Sequence, residues 1–401
     1  MYIRKQYLDI LKKYKDINLI KVITGVRRCG KSTLLMQFKN FLLELGVSED
    51  NIIYMNFESS DWYEITNYKE LTKYIKSKYN NNNNNNNNKL YILLDEIQNV
   101  EKWEKSLNSL LVDIDCDIYI TGSNAYMLSS ELTTLLAGRV LTLKLFPFSF
   151  KEYNDIKKDE SKEDNFKNYL KYGGMPMVTN LNDTQLITNY LLDIKDVVLK
   201  NDVISRNNIK DVALLDNLLQ YSSSVIGTLT SATNITDYLN KTGRNIHNET
   251  VDSYLKMLEN AYIIYRVPRY SLDGKSLLKT QGKYYFVDQG IRNVINGFAS
   301  YDSGSSFENI VYMELLRRGY QVYVGKHRDL EIDFIAISPN ETKYYQICRN
   351  ISDNEVLERE KKSLLALNDN FEKIIITNDK YDNTIIDGIK ILNIIDFLLE
   401  E

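Results

Sequence analysis

The residues from Gly25 to Ser32, read as Gly25-Val26-Arg27-Arg28-Cys29-Gly30-Lys31-Ser32, have the spacing of a phosphate-binding loop. The two glycines let backbone N–H groups close around a phosphate. A helix beginning at the end of the loop turns its positive terminus toward the same charge. Residues Gly25 through Thr33 are therefore the candidate nucleotide contacts. Lys31 is placed to reach β- and γ-phosphates, and the Ser32 hydroxyl to ligate Mg²⁺. Further along, the apolar run Leu90-Tyr91-Ile92-Leu93-Leu94 ends in Asp95-Glu96. A carboxylate at such a strand tip can hold Mg²⁺ (Asp95), and its neighbour can orient or deprotonate a water (Glu96). Together the two motifs call for ATP with Mg²⁺.

Other residues could complete this chemistry. Ser123 and Asn124 follow the apolar run Asp117–Thr121, where a polar side chain could touch the γ-phosphate or the attacking water; an ordinary helix N-cap is the alternative. Arg139, after Gly138, could stabilise charge on the phosphoryl group from its own chain or from a neighbouring subunit, or be a surface arginine. Glu58 is a weaker candidate at the end of the second strand. Cys29 could sense oxidation, although a small side chain suited to a tight loop is the plainer account.

These residues need elements to hold them. Ile3–Tyr14 has the pattern of an amphipathic helix, Ile17–Thr24 of a short strand, Ser32–Leu45 of a helix stopped by Gly46. Ile52–Phe57, Leu90–Leu94 and Asp117–Thr121 read as further strands. Fully apolar strands alternating with helices imply a parallel sheet with helices on both faces. The tract Asn80–Asn88 cannot pack a core and is expected to be an exposed loop.

The chain has 401 residues, long enough for two or three domains. With 50 Lys plus Arg against 54 Asp plus Glu its formal charge is −4, so nucleic-acid contact would have to come from a local patch. Three scattered cysteines exclude a disulfide scaffold, and two histidines exclude a His-rich metal site. No apolar run has the length of a membrane span and the N-terminus lacks a signal-peptide pattern, so a cytoplasmic protein with no membrane partner is expected.

Beyond Pro147 the pattern is helical, with a turn at Gly173-Gly174 and helix-like spacing over Leu191–Leu219. Helices at Asn234–Asn240 and Asn248–Asn260 precede strands at Tyr262–Val267 and Lys283–Val287. This order is that of a winged helix. Its second helix carries Glu249, Asp252 and Glu259 against Lys256, a poor match to phosphates. Its wing carries Arg266, Arg269, Lys275, Lys279 and Lys283, so DNA contact there and a protein-docking role are both open. The last third holds a helix over Phe307–Arg318, several short strands and a helix near Val356–Leu367.

At this point the strings carry a family signature. Ile23–Ser32, Leu94–Gln98, Thr121–Ala125, Leu136–Arg139, Phe146–Tyr153, Gly173–Pro176, Lys283–Tyr285 with Asp288, and Glu331–Phe334 resemble bacterial and archaeal AAA-type P-loop ATPases that carry a C-terminal domain of unknown function. The resemblance implies an α/β fold: a P-loop NTPase parallel sheet between helices (1–147), a helical lid or linker (148–220), a winged helix (221–297), and a small α/β domain like that of restriction endonucleases (298–401). A working nuclease of that class needs a helix Glu, a strand Asp, a second Glu or Gln, and a Lys two residues on. Glu308, Asp333 and Gln346 fall in order, but the lysine position holds Cys348. Glu331 or Arg349 could compensate, but nothing in the sequence shows it, so a degenerate nuclease fold used for binding or docking is expected. The overall expectation is an Mg-dependent ATPase coupling nucleotide state to C-terminal domains that bind DNA or a protein. A slow nucleotide-switched binding module is the alternative, and an ATP-dependent nuclease a third. The oligomeric state is open.

Overall fold

The computed structural model describes residues 2–83, 89–123, 136, 138–241, 243–380 and 384–400. The chain forms two compact units, Met1–Phe146 and Pro147–Glu401.

In the first unit, α1 (Lys5–Tyr14) leads into β1 (Ile20–Thr24), and α2 (Lys31–Glu44) follows the glycine loop. The unit continues with β2 (Ile52–Asn56), α3 (Tyr68–Asn83), β3 (Leu90–Asp95), α4 (Trp103–Asp113), β4 (Cys116–Gly122) and β5 (Val140–Lys144). The five strands lie in the order β2-β3-β4-β1-β5, and every neighbouring pair is parallel. The sheet interior explains the apolar runs: all of β1, β3 and β4 is buried. On one face Leu34, Leu35 and Phe38 of α2 are fully buried; on the other, Leu71, Leu107 and Leu110 of α3 and α4 are.

Because all strands run the same way, loops after β1, β3 and β4 meet at one edge. That edge of an open parallel sheet is where ligands bind. The helix α3 continues to Asn83, so the asparagine tract begins in helix rather than loop. Once a helix is nucleated, adding residues of middling propensity costs little. The rest of the tract, 84–88, lies outside the described residues.

The second unit begins with α5 (Phe150–Ile156), capped by a reciprocal Ser149–Glu152 box, and α6 (Lys162–Tyr172). Next come α7 (Thr184–Val198), a π-helical turn over Leu199–Ile204, α8 (Val212–Ser224), α9 (Ala232–Lys241) and α10 (Asn248–Asn260). The run expected as one helix over 191–219 is thus broken, with Asn208 in a left-handed conformation (φ 50°). After β6 (Ile264–Ser271), β7 (Ser276–Phe286), α11 (Gln289–Ile295) and α12 (Gly304–Arg317) come β8 (Gln321–His327), β9 (Leu330–Ile337) and β10 (Thr342–Cys348). The chain closes with α13 (Asn354–Leu365), β11 (Glu372–Thr377), β12 (Thr384–Ile386), β13 (Ile389–Asn393) and α14 (Ile394–Leu399).

The hairpin expected as a wing does not stand free. β6 pairs with β8, so β6 and β7 form one end of an eight-stranded sheet, β12-β13-β11-β10-β9-β8-β6-β7. Hairpin and C-terminal strands therefore share one sheet across the boundary expected near residue 297. The turn at Gly173-Gly174 is clasped by Asp288, whose carboxylate accepts the N–H of Gly174 (2.7 Å) and of Ile291 (3.1 Å). A Cβ on Gly173 would lie 2.2 Å from that carboxylate, and one on Gly174 2.2 Å from the Phe148 carbonyl.

Candidate nucleotide site and a second charged centre

The glycine loop joins β1 to α2. Gly25 (φ 151°) passes so close to the segment just after β5 that a Cβ would lie 2.1 Å from the Leu145 carbonyl oxygen. Gly30 (φ 103°) takes the N-cap position of α2. That helix has no side-chain cap and no acidic residue in its first turn, so its N–H groups and dipole remain available to an anion. Val26 is buried, Arg28 is exposed with φ 64°, and Thr33 is half-buried.

The loop is braced from behind by a residue sequence reasoning did not single out. Arg4, 3% exposed, donates to the carbonyls of Phe146 (2.7 Å) and Cys29 (3.3 Å). Cys29 is buried with its sulfur 3.5 Å from the Leu145 carbonyl, and burial pushes its thiol up. A neutral, enclosed thiol is inert, which favours the packing account over redox sensing. Arg27 reaches Glu58 at 3.4 Å, so Glu58 faces the loop.

The Lys31 ammonium donates to the carbonyls of Gly25 (3.1 Å) and Val26 (3.2 Å) and lies 3.9 Å from the Glu96 carboxylate. Asp95, fully buried at the tip of β3, accepts from Thr121 and Ser32. Burial raises its carboxyl above the usual range, and those two hydroxyls partly offset the shift. The Tyr54 hydroxyl is 3.4 Å from its other oxygen. Glu96 turns sharply out of the strand (φ 53°), its N–H donating to the Thr121 hydroxyl at 2.9 Å and its carboxylate accepting from Gln98. A left-handed non-glycine at a strand tip is the strain expected where a side chain must be aimed.

Thr121 thus ties the two acids together, and it too was missed: its signal was only a polar residue ending an apolar strand. Ser123 is buried just past β4; Asn124 lies outside the described residues. Hydroxyl and carboxylate oxygens from two strand tips and a helix start, with Asp95 and Thr121 buried and Ser32 half-buried, are the hard donor set that suits Mg²⁺.

Arg139 is not at this edge. Its carbonyl accepts the N–H of Ile20, at the start of β1, and Val140 pairs with Ile20. The loop lies beyond the other end of β1, about 16 Å away along a parallel strand. The expected role in its own chain's site is therefore excluded by strand direction.

The second unit holds a different charged centre. Lys283, expected on an exposed wing, is 2% exposed. Its ammonium lies 3.0 Å from Glu308, 3.0 Å from Glu331 and 3.0 Å from Asp333. Lys283 sits on β7, which the sheet carries inward over α12, so a DNA contact through this residue is ruled out by its burial. Of the other expected wing cations, Arg266 and Lys275 are exposed. Arg269 is mostly buried, 4.0 Å from Glu331 and 3.3 Å from Gln281. The Lys279 side chain lies outside the described residues. Tyr285 donates to Glu308 at 2.7 Å. Burial and the nearby Asp333 charge push the Glu308 carboxyl up to about 7. Burial opposes the charge of Lys283, yet Tyr285, Asp333, Glu308 and Glu331 hold its ammonium well above the usual range. Arg349 pairs with Asp302, away from the cluster.

A parallel sheet in this order, with a glycine loop at its ligand edge, defines a P-loop ATPase of the AAA type. Residues 18–154 match the family described as an AAA domain, and residues 163–302 match a family described as a domain of unknown function. An uncharacterized protein of Haemophilus influenzae is 40% identical over the whole of this chain and 99% of its own length. An uncharacterized protein of Methanocaldococcus jannaschii is 30% identical over 93% of this chain and 88% of its own. The chain belongs to this bacterial and archaeal family of AAA-type P-loop ATPases with an added C-terminal region. In fold it is similar to the Walker-type ATPase of Pyrococcus abyssi (TM-score 0.50, 15% identity, 74% of this chain and 96% of that one). Among the described residues no helix is long and apolar enough to cross a membrane.

Proposed function

We propose that the first unit binds MgATP on the loop Gly25–Thr33 and hydrolyses it, and that the nucleotide state governs how the second unit engages a partner. The observation that carries this reading is the convergence of Lys31, Ser32, Asp95 and Glu96 at one sheet edge, with Thr121 holding the two acids.

The backbone N–H groups of the loop and the start of α2 receive the phosphates. Lys31 leaves the loop carbonyls to bind the β- and γ-phosphate oxygens. Ser32 and Asp95 hold Mg²⁺, which when bound neutralises charge on the phosphates. Glu96, aimed by its left-handed backbone, orients a water and takes its proton, while Gln98 fixes the carboxylate. Lys31, Asp95 and Glu96 are buried, where electrostatic interactions are stronger than in water.

Steady-state hydrolysis by the wild type and Glu96→Gln tests the reading, with and without double-stranded DNA, single-stranded DNA and RNA at low salt. Glu96→Gln should keep nucleotide binding and lose turnover; turnover near wild type in that variant removes Glu96 from its role. Among the described side chains of the hairpin only Arg266 and Lys275 of the expected cations are exposed, which favours a protein partner over DNA, and turnover indifferent to every nucleic acid supports it. Stimulation by one of them reverses that choice.

A further inference from the structure

The nuclease-like character expected of the C-terminal sheet implies a divalent ion held by Glu308, Asp333 and the residue at 346. The side chains present do not fit it. Gln346 is neutral, and both ends of its amide are committed: the oxygen accepts the Asp333 N–H (2.8 Å) and the nitrogen donates to Glu360 (3.0 Å). Asp333 spends one oxygen on the Ile347 N–H (2.9 Å) and the other on Lys283 (3.0 Å). Cys348 donates to the Asn350 carbonyl, and burial pushes its thiol up, so it offers neither cation nor thiolate.

One group does occupy the centre. An ammonium has three N–H donors, and three carboxylates stand 3.0 Å from the Lys283 nitrogen. They come from α12 (Glu308) and β9 (Glu331, Asp333), and the lysine from β7. We propose that the Lys283 ammonium takes the place of the divalent ion at this centre, as a tethered internal cation that fastens β7 to α12 and β9 and leaves the sheet without phosphodiester-cutting activity. The lysine answers the absence of a cation at Cys348 by replacing the metal, not by restoring the nuclease. A buried charge held by three partners is costly to break, since removing one side leaves the others unpaired. This inference does not depend on the ATPase reading.

The test uses the full chain carrying Asp95→Asn, so that the phosphate site lacks its carboxylate ligand. Thermal unfolding is followed with and without Mn²⁺. The Asp95→Asn chain should melt alike in both. Adding Lys283→Met should lower the melting temperature and create a Mn²⁺ response, with apparent affinity for Mn²⁺ at least about tenfold above that of the parent, because three carboxylates lose their cation. A folded Lys283→Met chain indifferent to Mn²⁺ overturns the proposal. So does a Mn²⁺ response of the Asp95→Asn chain that Asp333→Asn abolishes, or cutting of labelled DNA or RNA by wild type with Mg²⁺ or Mn²⁺ that Asp333→Asn abolishes. Should Lys283→Met fail to fold, Lys283→Met/Glu308→Gln removes charge from both sides. Its recovery of stability over the single variant supports the tethered-cation role, and no recovery counts against it; the wild-type cutting assay stands in either case.

Discussion

The hydroxyl of Thr121 donates to the carboxylate of Asp95, and the same oxygen accepts the backbone N–H that follows Asp95 in the chain. One side chain on β4 therefore fixes both the proposed metal ligand and the turn that aims Glu96. Outer partners of metal ligands typically contribute 10–100-fold in affinity or activity. Thr121→Val should raise the Mg²⁺ concentration needed for half-maximal hydrolysis by about tenfold and lower kcat, with the fold intact. An unchanged Mg²⁺ titration would show that Asp95 needs no such support.

Gly25→Ala places a methyl group against the Leu145 carbonyl in a backbone conformation that L side chains avoid. The expected cost is about 2 kcal/mol or more, together with loss of nucleotide binding. Both tryptophans, Trp62 and Trp103, lie in the first unit, so intrinsic fluorescence during urea unfolding reports this unit directly. A midpoint equal to that of wild type would contradict the close approach.

Arg139→Ala should leave turnover within about twofold of wild type in a dilute, monomeric sample, since its position is the length of β1 from the loop. A loss that appears only as protein concentration rises would instead identify a neighbouring copy as the recipient of the arginine.

Burial pushes the Asp288 carboxyl up to about 6, against about 3.9 in an unfolded chain. Between those values the native state keeps a proton that the unfolded state has released. The contribution to stability therefore declines as pH rises from about 4 to about 6, by at most roughly 3 kcal/mol, and below about 4 the decline is absent. Asp288→Asn cannot titrate and also loses one acceptor for the Gly174 and Ile291 N–H groups. It should be the less stable protein, but the gap should narrow between pH 4.5 and 6.5. Urea midpoints followed by far-ultraviolet circular dichroism measure it; a gap that stays constant over this range would show that Asp288 is ionised throughout.

What the sequence could supply was whatever is local in the chain. The loop Gly25–Ser32, the Asp95-Glu96 strand tip and the apolar strands around them are contiguous strings, and backbone geometry makes their local structure nearly inevitable once the glycines and the apolar runs are present. Helix ends followed the same logic, except where the asparagine tract continued α3 and Asn208 interrupted the helical run. Pairings across the sheets were beyond reach, because strand order is set by packing of the whole unit and leaves no string to read.

Strand order alone put Thr121 beside Asp95, and strand direction alone sent Arg139 to the far edge. Arg4 braces the loop from 25 positions before Cys29. Lys283 meets Glu308 and Asp333 across separations of 25 and 50 residues. As part of a string it looked like a surface cation on a wing; the pairing of β6 with β8 drew its strand into the larger sheet and buried it among three acids. Short-range chemistry is written in residue order, whereas the neighbours of a buried charge are chosen by tertiary packing, which must satisfy that charge or pay its full desolvation cost.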